Sequence, residues 1–177
     1  MAFFRKNLPA REDAILVFGW CVFLIHVWAI LNILEVLPAW ALRLGAYELM
    51  GVTAYPLVFA LIESIIVWVM LVIASIILPR SILGVKFISQ SSTLIFIMAV
   101  FSAFMHFNDE LILQYRTITL MLLAVGLLLV IGISYQVGKS EKYLNFTRAL
   151  LTRVTVLSWL YVFFDLIGVL VIFIRNY

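Results

Sequence analysis

ALIESIIVWVM, residues 60–70, sets one carboxyl group, Glu63, inside a run of side chains that otherwise suit hydrocarbon. The apolar run around it extends over residues 53–78 and leaves no polar stripe for water. A helix that is hydrophobic all round lies inside protein or inside lipid, and this one exceeds the roughly 20 residues that cross a bilayer core of about 30 Å. Glu63 therefore raises the two questions the sequence poses: how often the chain crosses a membrane, and what an ionisable group does at that depth.

Outward from residues 60–70 the same pattern recurs. Two-thirds of the 177 residues are hydrophobic and 12% are charged, against about half and a quarter in soluble domains. Four further apolar runs cover residues 14–37, 91–107, 117–137 and 154–174, the start of 91–107 reaching back toward Phe87. The expectation is an all-α integral membrane protein, one transmembrane domain over residues 1–177 with five spans. The first run is longer than the core of a removable signal and is expected to be retained. Pro38 is expected to end the first span and Pro79 the second. The lone Cys21 cannot form an internal disulfide and reads as a buried thiol.

Charge supplies an orientation. Of the twelve Lys and Arg residues, nine fall on one side of the five runs, among them Arg5, Lys6, Lys139, Lys142, Arg148 and Arg153; Arg43, Arg116 and Arg175 fall on the other. Positive residues concentrate in cytoplasmic loops, so the N-terminus is expected inside and the C-terminus outside. Those six inner residues are candidates for contact with anionic lipid, and the net charge of +3 implies no nucleic-acid partner. The expected location is a bacterial or archaeal cytoplasmic membrane.

Two connections carry patterns of their own. Residues 39–50, with Trp40, Leu44 and Tyr47, read as a short helix or re-entrant turn at the interface. Residues 141–153 place Tyr143, Phe146 and Leu150 at helical spacing beside Lys142, Arg148 and Arg153, the pattern of an interfacial helix leading into the fifth span.

Three ionisable groups share membrane depth: His26 in FLIHVWAI, Glu63, and Asp165 in VFFDLIGVL. Each costs about 2.5–3.5 kcal/mol at the bilayer centre even on a lenient scale, so each is expected to face protein or water. One reading makes them a proton or cation relay, with two carboxyl groups and an imidazole exchanging protons. The plainer reading, which the sequence favours, is that they hydrogen-bond across helices and specify packing. A third lets His26 ligate a haem or chlorophyll, the aromatic side chains around it suiting a pigment. At the outer edge His106, Asp109 and Glu110, spaced i, i+3 and i+4, together with Glu35, are candidates for a divalent metal or a polar headgroup, against the alternative of a solvated helix end.

No hydrolase, phosphate-loop or dinucleotide motif is present. The expected function is thus a non-catalytic membrane subunit of a larger assembly, or a homo-oligomer, with the lipid bilayer and other membrane subunits as partners.

Overall fold

The computed structural model describes residues 8–78, 83, 86–108, 110, 114–137 and 140–176. It contains five long helices and, among the described residues, no strand: α1 (Arg11–Ala41), α2 (Ala46–Ile77), α3 (Phe87–Phe107), α4 (Arg116–Val137) and α5 (Glu141–Asn176). All five are long and apolar enough to cross a membrane, an architecture compatible with a multi-pass membrane protein.

Two expectations about helix ends need correction. The first helix does not stop before Pro38 but carries it inside its last turn and ends at Ala41. Proline there forgoes the amide bond to the Leu34 carbonyl, and with only three helical residues after it the resulting bend displaces little of α1. Residues 39–50 accordingly form no separate interfacial helix. They are the end of α1, a tight turn in which the Arg43 and Leu44 amides both donate to the Trp40 carbonyl, and the start of α2. Glu48 closes that start, its Oε2 accepting from the Gly45 amide at 3.1 Å. Likewise residues 141–153 are continuous with the fifth span in one helix of 36 residues. The third span does begin at Phe87.

The fold divides into two compact units, Met1–Ala14 with Leu71–Leu150, and Ile15–Met70 with Leu151–Tyr177. In the first, α3 and α4 lie side by side, and Phe101 approaches Gly126 closely enough for ordinary contact. The start of α5 is fastened to α3 by Lys86 Nζ on Glu141 Oε1 at 2.6 Å and by the hydroxyls of Thr93 and Tyr143 at 2.8 Å. Arg148 donates to Asp13 Oδ1 at 2.8 Å. All five consecutive polar residues of α3, Ser89 to Thr93, are buried. Burial of a full helical turn means that every face of α3 is covered there.

The second unit is a three-helix bundle built on small residues. Gly19 of α1 lets α5 approach so closely that a Cβ would sit 2.7 Å from Thr155 Oγ1. Gly168 of α5 faces Ala54 and Val58 of α2, and the Arg175 side chain lies directly over Gly51. Asn176 Nδ2 donates to Tyr55 Oη at 2.9 Å, and the Phe18 and Trp68 rings meet edge to face at 5.5 Å. Small residues at such crossings gain dispersion contact that lipid-like surroundings would not otherwise reward. Residue numbers rise together along α1 and α5 (Gly19 at Ser158, His26 at Asp165), so these helices run parallel, and α2 runs against both.

Candidate functional site

On α5, Leu151, Ser158, Asp165 and Gly168 are buried and the residues between them mostly exposed. Their spacing keeps them on one face of the helix. That face meets α1. Ser158 donates through Oγ to the Gly19 carbonyl at 2.6 Å, sharing its single hydrogen with the Val154 carbonyl of its own helix at 3.0 Å. Two turns further along, His26 Nε2 lies 2.8 Å from Asp165 Oδ2.

Both residues of this pair are buried, each 1% exposed. The proton inventory follows from the partners. His26 Nδ1 lies 2.7 Å from the Val22 carbonyl, which can only accept, so Nδ1 carries a hydrogen. One more proton occupies the line between Nε2 and Oδ2, on the imidazole as an ion pair or on the carboxyl as a neutral pair. Either way the pair has no net charge, which removes the largest cost of placing two ionisable groups in an apolar interior. The Tyr161 ring stacks on the imidazole at 5.3 Å and 7°, presenting its negative face to whichever ring charge is present. Asp165 Oδ1 is buried as well and accepts no hydrogen bond from any described residue.

Glu63, the third ionisable group set in the middle of an apolar helix, stands apart from the pair. Its side chain is exposed and lines an open groove of about 430 Å³ between α1 and α2, with Trp28, Asn32, Trp40, Pro56 and Phe59. Among the described residues, neither Glu63 nor Asn32 makes a hydrogen bond or ion pair. The neighbouring Ser64 turns inward, is fully buried, and donates to the Ala60 carbonyl at 2.6 Å.

The remaining candidates are dispersed. Asp109, Arg5, Lys6 and Lys139 lie outside the described residues. His106 is exposed in the last turn of α3, its ring edge-on to Phe107 at 5.6 Å; Glu110 and Glu35 are exposed too. Among the described residues no three His, Cys, Asp or Glu side chains gather at a point that would hold a metal. Lys142 and Arg153 are exposed, whereas Arg148 is engaged by Asp13. Cys21 is buried, as its sequence context suggested.

Sequence reasoning missed the contacts around the pair. Thr155, Ser158 and Asp165 mark a polar stripe at i, i+3 and i+10 in an apolar helix, and that spacing was the available signal. It also missed the buried run Ser89–Thr93, visible as SQSST in an otherwise apolar segment.

No protein-family model matches the sequence, and no curated protein or solved structure does either. Functional inference therefore rests on the residues themselves.

Proposed function

We propose that this chain is a non-catalytic integral membrane subunit of a larger membrane assembly, whose buried polar residues fix the packing of its helices. The single observation that carries this reading is the closed His26–Asp165 pair. A pair sealed to 1% exposure on both sides, with both ring nitrogens and one carboxyl oxygen engaged, is built to hold α1 against α5. It offers no open route to a substrate. The long exposed apolar faces of α2, α4 and α5, including Ile62, Ile66, Leu128, Leu129, Phe163 and Leu166, suit lipid and neighbouring subunits. The lysine and arginine bias favours an inner N-terminus.

Native mass spectrometry of the chain extracted gently from its own membrane tests the proposal. A defined complex with other subunits is the expected result. A lone chain in several mild detergents overturns it.

A second reading, a proton relay through the same pair, is favoured by one observation, the unengaged Asp165 Oδ1. Asp165→Asn separates the two. An asparagine amide can donate to Nε2 while Nδ1–H still serves Val22, so packing is preserved and a relay is not. Unchanged proton flux in liposomes removes the relay. Haem or chlorophyll ligation fits less well, because an axial bond needs an imidazole lone pair and His26 would have to release Asp165 to supply one.

A further inference from the structure

The groove that Glu63 lines is independent of the assembly reading. It runs from the middle of α1 to its last turn, about 22 Å at the helical rise, and its walls are indole, phenyl and aliphatic groups. At one end stands a carboxyl group, and along the wall an amide, Asn32, neither of which makes a hydrogen bond or ion pair among the described residues. A cavity of this size, apolar and aromatic with a small number of convergent polar groups, has the makeup of a small-molecule site.

We infer that this groove binds a hydrophobic organic cation, an aromatic or aliphatic body bearing one ammonium- or phosphonium-type charge. Among the described residues, the stretches of α1 and α2 that wall the groove supply no countercharge. Beyond Arg11, α1 contains no Lys or Arg, and α2 contains none. The Arg175 side chain lies over Gly51, twelve residues and about 18 Å of helix away from Glu63. A second copy of this chain has the same deficit, and an anionic or zwitterionic lipid would bring its phosphate toward a carboxylate. A cation with an apolar body meets every wall of the groove at once. Its charge meets Glu63, with the Trp28 and Phe59 rings on the same stretch of the groove, and its apolar body extends toward Trp40 over surface that is otherwise open. Asn32, which can accept as well as donate, suits an ammonium that carries a hydrogen.

Tetraphenylphosphonium is the probe, titrated into the purified full-length chain in nanodiscs of zwitterionic lipid. Tryptophan fluorescence reports binding because Trp28 and Trp40 line the groove. Saturable binding is expected for the native chain and for Glu63→Asp, with affinity at least tenfold weaker for Glu63→Gln. Neutral triphenylphosphine oxide, with similar aromatic bulk, is expected to show no saturable change. Equal affinity in Glu63→Gln, or equal affinity for the neutral compound, overturns the proposal. Should Glu63→Gln fail to fold, carbodiimide labelling of the native chain decides. The cation is expected to slow modification of the Glu63 peptide at least tenfold, and an unchanged labelling rate refutes the site.

Discussion

Asp165 and Glu63 are both carboxyl groups in the middle of apolar helices, both in the unit formed by α1, α2 and the second half of α5, yet their surroundings are opposite. Asp165 faces α1, is 1% exposed and shares a proton with an imidazole. Glu63 faces an open groove and engages nothing among the described residues. The same α1 serves both, presenting Gly19, Val22 and His26 to one side and Trp28, Asn32 and Trp40 to another. What separates the two carboxyl groups is therefore the helix face on which each falls, because both stand mid-helix in apolar runs.

The contrast can be broken most decisively at the closed pair. His26→Leu or Asp165→Leu alone leaves a buried ionisable group without its partner, and a loss of about 3–5 kcal/mol is expected in reversible unfolding from mixed micelles. The double Leu variant is expected to recover most of that loss, since removing both partners also removes the desolvation cost. Failure of the double variant to recover would mean that the pair does more than hold two helices together.

A smaller effect belongs to the close approach that supports the pair. Gly19→Ala puts a methyl group against Thr155 Oγ1, 2.7 Å away, and the resulting shift is expected to cost about 1–3 kcal/mol. Smaller again is Ser158→Ala, which removes the hydroxyl donating to the Gly19 carbonyl and is expected to cost about 1 kcal/mol in the same assay.

The smallest effect sharpens the comparison from the other side. Glu63→Leu removes a carboxyl group that makes no hydrogen bond or ion pair among the described residues, so stability is expected to stay within about 0.5 kcal/mol of the native chain. A large loss at this position would place Glu63 with Asp165 among the structural groups and erase the distinction.

Much of this was legible before any coordinates. Five helices followed from run length, because bilayer thickness dictates how many apolar residues a crossing needs. The pairing of His26 with one of two carboxyl groups was legible only as a shared depth. Which carboxyl it takes was hidden, because in a chain of this class the residues facing other helices and those facing outward are similarly apolar, and no moment points to the interior. Ala60 and Ser64 are buried, but Glu63 beside Ser64 is exposed, and one residue of rotation, about 100°, decides the outcome. Pro38 does not stop α1, because a bend three residues from the helix end displaces little of it. The run Ser89–Thr93 was passed over because serine and threonine can satisfy themselves on their own helix, as Thr93 does with the Ser89 carbonyl. Such residues therefore announce neither face nor partner.

The pairing of the first helix with the last also has a consequence in time. His26 leaves the ribosome 139 residues ahead of Asp165, an interval of about 7–28 s at ordinary rates of synthesis. For that interval the imidazole has its own helix carbonyl and nothing else from α5. A chain cut short anywhere before Asp165 keeps that deficiency permanently. Until α5 is in place, His26 is thus left with the Val22 carbonyl of its own helix and without the carboxyl group that balances its second ring nitrogen.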